Sequence, residues 1–287
     1  MADPPGVRLP LSRPALLASD LDGTLLREDG SISARTRAAI HAAQEAGIGV
    51  LFVTARPPRW LASVADAVGG HGMVIAGNGA WVYDVHDRRV TQERGFSRTQ
   101  VLELVRRLRL ELPDVGFAAE RASGPHIEAL FHERHPESDP TGAVAGPIEQ
   151  LSGETVGKLL ATAPGLSDDE LLGRVGAVVG SGGVLAYSGA PGLAEISAPG
   201  VTKAAALARW CAAHGIPADA VWAFGDMPND LPMLRWAGAS FAVANAHADV
   251  HTEATHRCPS NEHDGVAHVV EALLARFTPR VHRVTGE

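Results

Sequence analysis

Two short acidic clusters are the parts of this sequence best suited to chemistry. In ASDLDGTLL, Asp20 and Asp22 stand just past an apolar run. Two positions apart on extended backbone, their side chains point the same way and can serve one site. Gly23 permits a turn that other residues resist, and Thr24 can cap or donate a hydrogen bond. Taken alone, the same residues also describe an acidic turn closing a strand. The second cluster, GDMPND from Gly225 to Asp230, follows the apolar run VWAFG. Helix initiation explains Asn229 as an N-cap and Asp230 as a first-turn acid, but it leaves Asp226 without a local reason. Carboxylates gathered from two such loops repel one another and call for a hard cation. An all-oxygen set with a position left open suits Mg²⁺.

Two further residues fit an anion at the same place. Thr54 ends the run IGVLFVT, where its hydroxyl can donate to an oxyanion; a β-branched residue finishing a strand accounts for it equally well. Lys203 lies in the first turn of a helix expected from Thr202 to His214, where a cation opposes the macrodipole. A bound anion would remove that conflict, since helix N-termini offer free amides and Lys203 adds a point charge. A solvated surface lysine is the plain alternative. His251, His256, Cys258 and His263 have spacing that fits no standard pair of zinc-ligand turns. Cys211 falls at helical spacing with Leu207, Trp210 and His214 and reads as a core residue. Lys158, in VGKLLATA, could point into a pocket, although an outward-facing strand lysine is the expected arrangement.

The elements that must position these residues alternate as strand, helix, strand. ALLAS leads to a helix after Ser33 that stops at Gly47, then to IGVLFVT, a helix after Pro58 and the strand GMVIA. The strands are continuously apolar, as in a parallel sheet covered on both faces. Beyond Tyr83 the character changes. SRTQVLELVRRLRLEL opens with Ser97 and Gln100 at capping-box spacing, and strand-like pieces follow near Val115–Ala119 and Val156–Ala163. From Thr202 the βαβ alternation resumes with VWAFG, a short helix after Asn229, SFAVA and a last helix over Val266–Ala275. The reading is an α/β protein: a Rossmann-like parallel-sheet core built from residues 12–84 and 191–287, with an α+β domain inserted over residues 85–190. Ligand sites in such sheets gather at the carboxyl ends of the strands, where both acidic clusters fall.

Bulk properties narrow the function. The 287 residues carry 25 Lys and Arg against 33 Asp and Glu, a formal charge of −8, so the general basic field that non-specific nucleic-acid binding needs is missing. Two cysteines cannot make a disulfide framework, and a reducing cytoplasm is the expected setting. The proline-broken start MADPPGVRLPLSRP does not read as a signal peptide and is expected to fray. No apolar stretch approaches the roughly 18 residues of a membrane span. The composition does not fix an oligomeric state.

DLDGTLL, the strand-ending Thr54, Lys203 and GDMPND stand in the order of the four motifs of the haloacid dehalogenase superfamily, which the chain resembles. The large insert between the second and third motifs, with NGAWVYD at Asn78 and NEHDGVAHVV at Asn261, is similar to the Cof-type phosphatase branch and its large cap. Two departures, Ala204 after Lys203 and Ala55 in FVTAR, stand where glycine is common and remove no chemical group. The resemblance implies a Mg²⁺-dependent phosphomonoester hydrolase in which Asp20 is the nucleophile and Asp22 the general acid and base. Thr54 and Lys203 would hold the phosphoryl oxygens; Asn229, Arg56 and Asn78 would contact phosphate or substrate. Asp20, Asp226 and Asp22, the last through its carbonyl, would hold the metal, with Asp230 orienting the set from behind. A small phosphorylated metabolite is the implied partner. A phosphomutase on the same core and a non-catalytic phosphometabolite-binding protein are the competing readings.

Overall fold

The computed structural model describes residues 9–61, 72–132 and 142–277. Among these, the first five strands are Leu16–Ser19 (β1), Gly49–Val53 (β2), Met73–Ala76 (β3), Trp81–Asp84 (β4) and Arg89–Glu93 (β5). Six shorter or more central strands follow: Gly116–Glu120 (β6), His126–Ile127 (β7), Val144–Ala145 (β8), Lys158–Thr162 (β9), Val184–Ala186 (β10) and Ala194–Ser197 (β11). The chain then returns through Val221–Gly225 (β12), Ala239–Val243 (β13) and His256–Cys258 (β14). The helices are Ala34–Glu45 (α1), Arg98–Glu111 (α2), Asp168–Val179 (α3), Lys203–Ala213 (α4), Leu231–Trp236 (α5), Ala248–Glu253 (α6) and Gly265–Phe277 (α7).

Two sheets organise these elements. The larger has the order β14-β13-β12-β1-β2-β3-β4-β5, parallel from β14 to β3 and antiparallel across its last two pairings. Along β1 the side chains alternate between two cores. Leu17 packs with Ile40, Ala43, Val269 and Leu273 of α1 and α7. Leu16 and Ala18 pack with Leu207, Cys211, Met233 and Leu234 of α4 and α5 on the opposite face. Both faces are thereby dry, which is why β1, β12 and β13 read as unbroken apolar runs. The smaller sheet, β10-β11-β9-β6-β7-β8, is antiparallel except between β7 and β8. One of its faces, carrying Phe117, Leu159, Ala161 and Ile196, is covered by Val101, Val105 and Leu108 of α2 and by Leu171 and Val175 of α3.

The capping box expected at α2 is present, with Ser97 accepting from the Gln100 amide and the Gln100 side chain returning to the Ser97 amide. Boundaries of the insert differ from the sequence reading at both ends. β5 pairs with β4 in the larger sheet although it lies past residue 85, because a polar hairpin can extend a sheet edge without an apolar run. β11 pairs with β9 and β10 in the smaller sheet although it lies past residue 191. Of the helix expected after Pro58, the described residues include a single 3₁₀ turn, Pro58–Trp60. The rest of the segment to which that expectation applies, like the start of the chain, lies outside the described residues. Among the described residues no helix is long and apolar enough to cross a membrane.

Candidate active site

Both acidic clusters arrive at one rim because β1 and β12 are adjacent and parallel, with Ser19 in register with Phe224. An aspartate directly follows the last residue of each strand, Asp20 after Ser19 and Asp226 after Gly225. Asp20 is held by its amide donating to Phe224 O at 3.0 Å. Gly23, at φ 73°, turns the chain back tightly; a Cβ there would lie 2.3 Å from Asp226 Oδ2. Thr24 donates its hydroxyl to Asp226 Oδ1 at 2.9 Å, which joins the two loops. Asp20, Asp226 and Asp230 each bring a carboxylate oxygen within 4.8 Å of the others, and all three are buried.

Lys203 is the counter-ion at the centre of this cluster. It opens α4 just after the Thr202 N-cap, and its side chain is 2% exposed. Its ammonium donates to Asp20 Oδ1 at 2.6 Å and to Asp230 Oδ1 at 2.7 Å. Burial acts to lower its pKa, but the two carboxylates outweigh burial and raise it, so the lysine stays charged. Burial raises the Asp20 pKa well above the usual carboxylate range, with Asp230, Asp226 and Asp22 adding to the shift and Lys203 opposing it. Asp226 is likewise pushed up to about 6, first by burial and then by Asp230, against the hydrogen bond from Thr24. One lysine therefore leaves this set of carboxylates short of positive charge. A hard, all-oxygen cluster with excess negative charge fits a divalent cation. Asp230 has little to spare for one, since Oδ2 accepts from the amides of Asp226 and Met227, both at 3.1 Å, while Oδ1 holds Lys203. It fixes the loop that carries Asp226.

Asp22 faces outward, its side chain 51% exposed, and Arg56 grips it through Nε at 2.9 Å and Nη2 at 2.5 Å. Thr54 is fully buried, and its Oγ1 accepts from the Arg56 amide at 3.0 Å, so in this structure it shapes the loop that presents Arg56. Asn78 adopts the left-handed conformation, φ 56°, between Gly77 and Gly79, which also have positive φ; asparagine tolerates this region better than most residues. Asn229 donates to Asn78 Oδ1 at 3.2 Å, and Asn78 Nδ2 donates to Glu195 Oε2 at 2.9 Å.

Asp20, Asp22, Arg56, Lys203 and Asn229 line a cavity of about 280 Å³, closed on its far side by the smaller sheet. Here one expectation fails. Lys158 does not face outward: it is 4% exposed, lines the cavity, and donates to Glu195 Oε2 at 3.0 Å and to Ala55 O at 2.9 Å. The helices cover the Leu159 face of β9, so alternation turns Lys158 toward the site. Sequence reasoning missed Arg59, Glu120 and Glu195, which share this wall. The available signal was an acid embedded in an otherwise apolar strand, as in GFAAE and LAEIS. The His and Cys set does not converge, the Asp20 cluster being the group of metal-ligand type among the described residues. Cys211 is buried in the core as expected.

Comparison with known proteins bears on this geometry. A family model described as haloacid dehalogenase-like hydrolase matches residues 17–270. The chain belongs to this family. Haloacid dehalogenase-like relatives include a 5-amino-6-(5-phospho-D-ribitylamino)uracil phosphatase of Bacillus subtilis, 27% identical over 92% of this chain and 99% of the relative. A pyridoxal phosphate phosphatase of Escherichia coli is 26% identical over 90% of this chain and 98% of the relative. Among solved structures, a HAD-superfamily phosphatase from Bacteroides thetaiotaomicron superposes with a TM-score of 0.77 at 23% identity, covering 93% of this chain and 98% of that one. The haloacid dehalogenase-like chain is thus an enzyme of the phosphoric monoester hydrolase kind, on a fold its structural neighbours share.

Proposed function

We propose that the chain is a Mg²⁺-dependent phosphatase that hydrolyses a small phosphorylated metabolite through a phosphoryl group carried on Asp20, with the smaller sheet and its helices acting as the cap over the site. One observation carries this reading. A buried carboxylate, Asp20, and a buried ammonium, Lys203, meet at 2.6 Å in the wall of a cavity, beside a second carboxylate, Asp22, that lines the same cavity and is half-exposed. The Bacillus subtilis and Escherichia coli relatives are named as phosphatases of small phosphorylated molecules, which supports the substrate class.

In the proposed cycle Asp20 attacks phosphorus in line and the bond to the leaving oxygen breaks, while Asp22 delivers its proton to that oxygen. Water then attacks the acyl phosphate as Asp22 takes a proton from it; inorganic phosphate leaves and both carboxylates return to their starting state. Arg56 binds the Asp22 carboxylate in this structure, and a phosphate offers the guanidinium an alternative bidentate partner. Its transfer there would release Asp22 from the guanidinium and let it face the leaving oxygen. Lys203, with Thr54 on the adjacent loop, would balance charge on the transferring oxygens. Asp20, Asp226 and the carbonyl of Asp22 would hold Mg²⁺, oriented by Asp230 and Asn229. Bound there, the cation supplies the positive charge that lets two anions approach.

Phosphate release from a panel of phosphomonoesters, with Mg²⁺ or with EDTA, tests the reading. Release should require the metal and fall by roughly a thousandfold or more in Asp20→Asn. Metal-independent release, or an Asp20→Asn variant as active as the wild type, would sink it. A requirement for a bisphosphate activator would favour a mutase instead.

A further inference from the structure

The cavity has two ends of different electrical character. Eight charged residues line it among the described residues, four at each end. The phosphate end has Asp20, Asp22, Arg56 and Lys203, with the remaining acids of the metal cluster behind them. The opposite wall has Arg59, Glu120, Lys158 and Glu195, two cations and two anions, already matched. Arg59 meets Glu120 through Nη2 at 2.6 Å and Nε at 3.3 Å. Lys158 meets Glu195 at 3.0 Å, and the Glu195 carboxylate also accepts from Asn78 at 2.9 Å and from Ser188 at 2.7 Å. Side chains of all four are at most 8% exposed.

Strand register explains how the pairs come together. Glu120 lies opposite Lys158, and Leu160 opposite Glu195, all on the sheet face turned from the helices. Leu160 and Trp60 add apolar surface between them. We infer that this wall selects for a leaving group that is polar but uncharged, and that it turns away phosphomonoesters carrying a second anionic group. The inference rests on the phosphatase reading above.

The reason is that neither cation is available without breaking a buried pair. A carboxylate or second phosphate at the far end would have to draw Arg59 from Glu120 or Lys158 from Glu195. Either exchange leaves a buried carboxylate uncompensated beside a new anion, a costly arrangement in a poorly solvated site. A cationic group meets the mirror-image difficulty. Hydroxyls and amides meet neither. Carboxylates retain lone pairs after their ion pairs are made, and an ammonium has three protons, two of which Lys158 uses here. The volume, at the lower edge of the range for small-molecule sites, suits a sugar or a single ring. A wall of this kind also opposes a mutase cycle, which passes through a bisphosphate.

Matched substrates test it: glucose 6-phosphate against 6-phosphogluconate, and fructose 6-phosphate against fructose 1,6-bisphosphate, with p-nitrophenyl phosphate as a reporter of the chemistry alone. In the wild type, kcat/KM for the uncharged member of each pair should exceed that of its anionic partner by at least about tenfold. Glu120→Gln, which releases Arg59, should shrink that ratio several-fold. Equal kcat/KM within the wild-type pairs, or preference for the anionic members, overturns the inference whether or not the variant folds. An undiminished ratio in a Glu120→Gln protein that still turns over the aryl phosphate removes the Arg59–Glu120 pair as its cause and overturns the assignment. Absence of Mg²⁺- and Asp20-dependent turnover of every compound, the aryl phosphate included, overturns the phosphatase reading and this inference with it.

Discussion

Asp226 and Lys203 lie in the same cluster, and their removal should have opposite effects. Asp226 is pushed from 3.8 up to about 6 by burial and by Asp230, so the folded chain keeps a proton there that the unfolded chain loses. The unfolded state then binds fewer protons across that window, and stability of the metal-free protein should fall as pH rises from about 4 to about 6. Asp226→Asn removes this cost. Without metal the variant should melt roughly 2–4 °C higher than wild type at neutral pH, a gain of about 1 kcal/mol, yet release no phosphate. Added Mg²⁺ should raise the wild-type melting temperature and leave that of Asp226→Asn unchanged; a thermal scan of both proteins with and without the ion checks the three melting statements, and a phosphate-release assay the fourth. Lys203→Met, by contrast, strands the carboxylates of Asp20 and Asp230 in the interior. It should cost about 3–5 kcal/mol in urea unfolding.

Loops and caps set how well each element presents its residue. Gly23→Ala places a methyl group 2.3 Å from Asp226 Oδ2 on backbone at φ 73°. It should lower stability by about 1–2 kcal/mol and weaken Mg²⁺ binding, which a metal titration followed by melting temperature would read. Ser97→Ala removes the N-cap of α2, far from the cluster, and should cost about 1 kcal/mol in denaturant unfolding with phosphate release unchanged. Strands β1, β2, β3, β12 and β13, helices α1, α2 and α4 and the two acidic loops were legible because apolar runs, caps and turn residues are local signals; β14 was not, its three residues being two polar ones and a cysteine. The β4–β5 hairpin was not, since its outer strand is polar and gains its place only by pairing with an edge already formed. α3 was missed although Ser167 and Glu170 form a capping box visible as SDDE. The far wall of the site was harder still. The direction of Lys158 depends on which face of β9 the helices cover, a fact of tertiary packing that no single strand records.

Across the whole molecule, the two sheets are tied together beside the cavity. Lys158 on β9 holds the Ala55 carbonyl, Glu195 on β11 receives Asn78, and Glu120 on β6 receives Arg59. Lys158→Met should therefore loosen more than its own strand: amide exchange at Ala55 and Arg56 should quicken while α7 stays protected, as hydrogen-exchange mass spectrometry would show. The chain leaves the larger sheet and returns to it at almost the same point. Arg94 donates its amide to Ala80 O at 2.7 Å, and a Cβ on neighbouring Gly79 would lie 2.4 Å from Thr202 O. Entry and exit of the intervening hundred-odd residues thus flank one short segment. A graft spliced at Arg94 and Thr202 would need no rerouting of the strands that carry Asp20 and Asp226, but it would have to bring new partners for Arg59 and Asn78, which stay behind with those strands.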